Sequence, residues 1–418
     1  MIYGVKSMEY ATLYKSFQDK YLNKIEIGYR LPSELPLSEI WEKIQSERRD
    51  HAEELPLLDE NGKDFWFVNI KPLQAKLHLI DSKGKDSLYE AIRSEIKDEL
   101  VLDSIIDEAW ASNVIEGAFT THKRAQELVR RNLTPKDKND LMMKNNYLAM
   151  KYLLEHRDID FSIDFLLEIH RMITQDTLDD PEYCGRFRDD EVSILDKTGG
   201  IIFRPMAAEK IKPHLERLIN WINTHSEEDF IHPVLKASII HFDLVYIHPF
   251  FDGNGRTARA IFYFYLLKNR YEFFKYFSIS VLIAKQKEKY YKAIKDVEDH
   301  DNDLSYFLLY STDLVLKSID EILDKILKKY QSSMLLKSLN KRGVFLNKRQ
   351  YKLVKLSIDH DQKVITTKKY QKIFKVSYGT ARSDLNELVE DGLFEKKKLG
   401  KGYVYSTNFK PFLISTKE

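Results

Sequence analysis

His248-Pro249-Phe250-Phe251-Asp252-Gly253-Asn254-Gly255-Arg256-Thr257-Ala258-Arg259 stands between two apolar helical patterns, PVLKASIIHFDLVYI before it and RTARAIFYFYLLKNRY running on from it. The twelve residues therefore form the loop and first turn that join two helices. Such a placement suits phosphate. Glycines on both sides of Asn254 allow positive φ and close backbone approach, so successive N–H groups converge at a helix start, where the dipole also favours an anion. Arg256 and Arg259, three apart, share a helix face and can both fork to phosphate oxygens. Asp252 is a hard oxygen ligand suited to Mg²⁺, and His248 has the side-chain pKa suited to taking a proton near neutrality.

Each feature alone is ordinary: Gly-Asn-Gly is usually a turn, an Arg pair usually a solvated face, a lone His usually a packed or surface residue. Together they describe a nucleotide-triphosphate site with a base beside it. The stretch resembles, at every fixed position, the HPFxxGNGRxxR signature of Fic domains, which are helical and move AMP from ATP to a hydroxyl of a target protein. Eight fixed positions in twelve residues match by chance on the order of 10⁻¹⁰ times per start, so the signature is specific. The likeness covers roughly residues 100 to 320. It implies His248 as base on the target hydroxyl, Asp252 holding Mg²⁺, and Gly253, Asn254 and Gly255 cradling the phosphates. Arg256 would face the leaving pyrophosphate and Arg259 the γ-phosphate. Tyr290 and Tyr291 match a tyrosine pair near the nucleotide base, and Lys287 stands where the family often has Arg. Gly255 favours nucleotidyl transfer, since related kinases carry Lys there. The segment of about 186–204, with Val192–Leu195 and Ile201–Phe203 flanking a turn at Asp196–Gly200, reads as a hairpin and lies where the family has its target-binding flap.

Upstream, Ser112-Asn113-Val114-Ile115-Glu116-Gly117 closes an amphipathic helix of about 103–117, with Gly117 a C′ residue. It resembles the (S/T)xxxE(G/N) inhibitory motif of Fic proteins, which implies regulatory roles for Ser112 and Glu116. His232, His241 and His248 lack the HExxH or Cys partners of a zinc site, and Cys184 has no evident base partner.

Helical periodicity over most of the 418 residues predicts a mainly α chain: a helical Fic core with a β-hairpin flap, plus a C-terminal winged-helix domain. Pattern changes divide it into an N-terminal region, 1–100, a Fic domain, 101–330, and a winged helix-turn-helix, 335–418. A single cysteine excludes a disulfide framework, and the apolar runs are too short to span a bilayer, so a cytoplasmic protein without membrane contact is expected. The net charge of +1 hides asymmetry: Leu335 to Glu418 holds 19 Lys and Arg against 8 Asp and Glu, a net of +11, leaving −10 for the remainder. There, Asn347, Thr366 or Thr367, and Ser377 cap three helices ahead of a hairpin around KKLGKG. The third helix would present Tyr378, Thr380, Arg382 and Ser383, and the wing Lys396, Lys397, Lys398 and Lys401, to DNA, the other reading being a module for dimerisation or protein docking.

The reading is a protein adenylyltransferase using ATP and Mg²⁺, restrained by Glu116, acting on a Ser, Thr or Tyr hydroxyl of a protein target or on itself. The alternatives carried beside it are a bifunctional enzyme that also removes AMP, a DNA-binding regulator with a Fic sensor, and a homodimeric assembly.

Overall fold

Two helices that are apolar all round, Pro233–Ile247 and Asn254–Lys268, bury almost every side chain and pack on each other at the centre of the fold. The computed structural model describes residues 2–92, 94–195, 201–224, 230–359, 363–399 and 402–413. A buried polar group must find a partner, and those of the first helix do. Lys236 Nζ donates to Trp221 O (2.8 Å), Ser238 Oγ shares a hydrogen with Ser311 Oγ (2.7 Å), and Asp243 Oδ1 lies 2.8 Å from His214 Nε2. Helices Ser94–Ile115, Lys138–Glu155 and Ile163–Thr174 surround the second. Among the described residues no helix is long and apolar enough to cross a membrane.

The chain divides into two compact units, Met1–Ile319 and Asp320–Glu418. Sequence patterning puts one boundary near 100, but the first hundred residues are stitched into the first unit. Tyr21 Oη donates to Asp303 Oδ2 (2.7 Å), and Arg48 Nη1 to Tyr306 Oη (2.7 Å), with the guanidinium 3.8 Å above the Tyr21 ring. The hairpin Glu53–Leu58/Asp64–Phe67 exchanges backbone bonds through Trp66 with Asn302 and Leu304. The contacts with Asn302, Asp303, Leu304 and Tyr306 join residues more than 200 apart, so periodicity cannot show them. The second boundary, expected near 335, falls at Asp320 inside the helix Ser305–Lys341.

In the second unit the caps fall as read from sequence. Helices Lys348–Asp359, Thr367–Phe374 and Tyr378–Glu390 follow one another, the last two capped by Thr366 and Ser377. Strands Phe394–Leu399 and Gly402–Thr407 pair antiparallel, and a third strand, Val364–Thr366, adds to the second of these, making a sheet where only a hairpin was expected. Lys401 lies outside the described residues. Asp384 organises the interior, accepting from Arg349 Nε (2.7 Å), Tyr370 Oη (2.8 Å) and Asn347 Nδ2 (2.9 Å).

Candidate active site

The Pro233–Ile247 helix ends because His248 turns into the left-handed region, φ +49°, an unusual conformation for a residue other than glycine. Arg188 holds that turn. Its Nε donates to His248 O (2.8 Å), its backbone N–H to Pro249 O (2.9 Å), and its Nη2 to Met206 O and Ile247 O. His248 Nδ1 lies 3.3 Å from Val245 O, and since a carbonyl can only accept, Nδ1 carries the proton. The Nε2 lone pair is then left for chemistry, and burial holds the imidazole below its usual pKa.

Two residues shape the loop that follows. Asn254 staples it from within: its Oδ1 accepts from Phe250 N–H (2.8 Å) and its Nδ2 donates to Phe250 O (2.7 Å). His170 supports it from outside, stacked on Phe250 with ring centroids 3.7 Å apart. His170 Nδ1 accepts from Gly185 N–H (3.1 Å), so Nε2 must donate to Asp252 O (2.9 Å), and burial depresses its pKa to about 4.

Gly253 has φ +85°, and a Cβ there would lie 2.8 Å from Thr174 Cγ2. It is the N-cap of the Asn254–Lys268 helix, and no side chain caps that end. The expectation of positive φ at both glycines is corrected at Gly255, which is helical. What Gly255 supplies is room: a Cβ there would lie 2.2 Å from Glu116 Oε1. Arg256 is completely buried, with Nη2 donating to Asp252 Oδ1 (3.0 Å) while Nε and Nη1 have no partner among the described residues. Buried, unpaired guanidinium N–H groups carry a full desolvation cost unless an anion arrives.

Arg259 is equally buried but engaged at Nε and Nη2. Its Nε donates to Ser112 Oγ (2.8 Å), and its Nη2 to Ser112 O (3.0 Å) and Glu116 Oε1 (2.8 Å). Ser112 lies on the Ser94–Ile115 helix, which begins earlier than the 103 expected, and Glu116 follows its last residue, ahead of Gly117 (φ +90°). That helix and Asn254–Lys268 meet in an antiparallel ladder at four-residue spacing. Glu108 accepts from Tyr263 Oη (2.8 Å), Ser112 meets Arg259, and Glu116 covers Gly255. Tyr290 is buried with its hydroxyl 3.0 Å from His241 Nε2, and Tyr291, its ring 5.3 Å away, is half exposed. Burial lowers the His241 pKa to about 3, so that imidazole is neutral. The flap strands Ile194–Leu195 and Ile201–Phe203 pair antiparallel, with Ile194 opposite Phe203, and the turn at 196–200 lies outside the described residues.

The structure thus brings His248, Asp252, Gly253, Asn254, Gly255, Arg256, Arg259, Ser112 and Glu116 together, with Tyr290 and Tyr291 on the helix Lys287–Asp299. Sequence reasoning missed Glu108, His170 and Arg188. Glu108 had a signal, since it precedes Ser112 and Glu116 at steps of four; His170 and Arg188 act on partners 60 to 82 residues away.

Two buried Arg256 nitrogens with no partner among the described residues thus stand beside a helix start that no side chain caps. Residues 160–266 match the Fic/DOC family, and the chain carries a domain of that family. It is 33% identical over 176 residues, 41% of this chain and 32% of the relative, to Protein adenylyltransferase Fic of Drosophila sechellia. It is 29% identical over 196 residues, 45% of this chain and 43% of the relative, to Protein adenylyltransferase Fic of Nematostella vectensis. The matches therefore span well under half the length of these relatives. A Fic family protein from Desulfovibrio desulfuricans G20 shares the fold, with a TM-score of 0.51 at 16% identity over 82% of this chain and 97% of that one.

Proposed function

We propose that this protein transfers AMP from ATP to a hydroxyl side chain of a protein, with Glu116 restraining the reaction. The observation that carries the reading is Arg256, buried with two guanidinium nitrogens that have no partner among the described residues, beside a helix start that no side chain caps and an imidazole whose Nδ1 holds the proton. The names of the relatives support adenylyl as the transferred group.

In this reading the target hydroxyl oxygen attacks the α-phosphorus while His248 Nε2 takes its proton. The bond from the α-phosphorus to the bridging oxygen breaks, and pyrophosphate leaves with its charge balanced by Arg256. Positioning and charge neutralisation supply most of the acceleration in such a step. Asp252 fits Mg²⁺ binding: its carboxylate is 54% exposed beside the anion cradle, and phosphate oxygens and water would complete the ligand set. The ion would neutralise phosphate charge there. Tyr290 and Tyr291 would flank the base.

Glu116 would inhibit by occupying Arg259, the guanidinium assigned to the γ-phosphate. ATP would then bind with displaced phosphates, and a displacement of about 1 Å can cost on the order of 10²-fold in rate. The test is intact-mass measurement after incubation with Mg²⁺ and ATP, GTP, UTP or CTP. Glu116→Gly should raise the AMP adduct strongly, and Glu116→Gly with His248→Ala should form none while still binding ATP. An adduct that persists without His248, or a wild-type rate in Glu116→Gly with a competent target, overturns the assignment. Release of AMP from a modified target by the wild type, lost in Glu116→Gly, would favour the bifunctional alternative.

For Asp320–Glu418 we propose a nucleic-acid interface, on a specific observation. Asp384 of the third helix is turned inward onto Arg349, while Tyr378, Arg382 and Ser383 of that helix are exposed, as are Lys397 and Lys398 of the strand Phe394–Leu399. Lys396 is withdrawn from this set, bonded to Asn386 Oδ1 (2.9 Å) and lying over Tyr403. Duplex DNA binding that weakens steeply with salt tests the proposal.

A further inference from the structure

Helix Ser94–Ile115 delivers Glu116 to Arg259 from its C-terminal end, and that end has an electrostatic problem. A carboxylate placed just past the last helical residue faces the negative pole of a 22-residue helix. The terminus is closed by backbone bonds at two carbonyls, Ala118 N–H to Asn113 O (3.0 Å) and Gly117 N–H to Val114 O (3.2 Å), the pairing that a left-handed C′ glycine permits. Ile115 O gains nothing from that closure. Lys287 supplies what is missing: its Nζ donates to Val114 O (2.6 Å) and Ile115 O (3.0 Å).

The placement of Lys287 is informative for a second reason. It opens its own helix, Lys287–Asp299, where a cation meets the positive pole and is locally unfavourable. The local penalty is offset only across the fold, at the terminus of the Ser94–Ile115 helix. Three and four residues further along stand Tyr290 and Tyr291, so the first turn of one helix carries both the cap on Glu116's support and the aromatic pair assigned to the base.

We propose that Lys287 is a positioning residue for Glu116: by capping the C-terminus of the Ser94–Ile115 helix it keeps the carboxylate on Arg259. The proposal rests on the reading of Glu116 as the restraint. Without the ammonium, the last turn from Val114 to Gly117 opens more often, Glu116 leaves Arg259 in those openings, and the guanidinium becomes available to the γ-phosphate. Lys287 touches no reacting atom in this account. It acts through the helix end alone.

The test uses the full-length protein with ATP and Mg²⁺ and four variants: Lys287→Met, Lys287→Arg, Glu116→Gly, and Glu116→Gly with Lys287→Met. Lys287→Met should raise the self-modification rate on the order of 10-fold, the scale of one charge-assisted hydrogen bond, and less than Glu116→Gly does. Lys287→Arg should stay near the wild type because it can still donate to both carbonyls. The double variant should match Glu116→Gly, since a clamp on an absent carboxylate has nothing to hold. Amide hydrogen exchange over residues 113–118 should be faster in Lys287→Met and near wild type in Lys287→Arg, a readout independent of catalysis. If Glu116→Gly activates and Lys287→Met does not, the proposal alone is wrong. If Lys287→Met slows transfer equally with and without Glu116, Lys287 serves nucleotide binding and the proposal is overturned. If Glu116→Gly leaves the rate unchanged, the restraint itself is misassigned and the proposal falls with it.

Discussion

His248 combines a left-handed backbone with a largely shielded ring, and both features bear on the proton transfer proposed for it. The backbone strain persists because Arg188 ties the carbonyls of Ile247, His248 and Pro249 from outside the loop. The ring must be neutral to act as base, and burial disfavours its charged form, so the working state survives to lower pH than for a free histidine. The transfer rate of the Glu116→Gly variant, followed as a pH profile, should be flat from pH 8 to about 6.5 and fall only below that value, since 6.5 is the ordinary histidine pKa. An acidic limb centred above 6.5 would show that the ring gains a proton more easily when folded, against the burial described. At this scale the motif residues were legible because chemistry restricts each to one residue type. Arg188 and His170 were not, because an arginine beside aspartates, or a histidine on an amphipathic helix, has its meaning set by carbonyls that only folding brings near.

The loop between the two central helices is an element whose shape depends on one glycine. Gly253 sits at φ +85° with Thr174 and His170 pressed against the space where a Cβ would stand. Gly253→Ala should therefore destabilise the folded state by about 2–5 kcal/mol, the sum of a left-handed penalty and a contact that must give way. Urea unfolding reads this directly, and a variant as stable as the wild type would mean the loop relaxes freely. Gly255 is held to glycine for another reason, the approach of Glu116 from a neighbouring helix. Both glycines looked alike in sequence. Element boundaries followed from local chemistry where caps were read, as at Thr366 and Ser377. The Ser94–Ile115 helix starts well before the residue near 103 read from sequence.

For the whole molecule, the two compact units predict separable folding. The interior of the second unit includes Leu335 and Leu339, completely buried with Leu353, Tyr370, Leu385 and Tyr405. A fragment beginning at Asp320 should unfold cooperatively on its own. One beginning at Asn340, which loses both leucines, should be less stable by about 2–5 kcal/mol for each buried leucine removed. Circular dichroism melts of the two fragments check this, and equal stability would remove the long helix from that core. The first hundred residues admit no such cut, because Asp303 and Tyr306 receive their partners from Tyr21 and Arg48.

The sequence alone determined the helical class, the loop with its histidine and arginines on which the proposed site rests, the glutamate motif upstream and the basic C-terminal end, since these rest on periodicity, capping and residue chemistry within short windows. Tertiary structure decided the rest. It set Glu116 against Arg259 across 143 residues, moved Lys287 from a neighbour of the tyrosine pair to the cap of another helix, and folded the N-terminal hundred into the first unit. The reason is physical: an ion pair or a helix cap depends on a distance in space, and only the packed core specifies which distant backbone and side-chain groups arrive within 3 Å of one another.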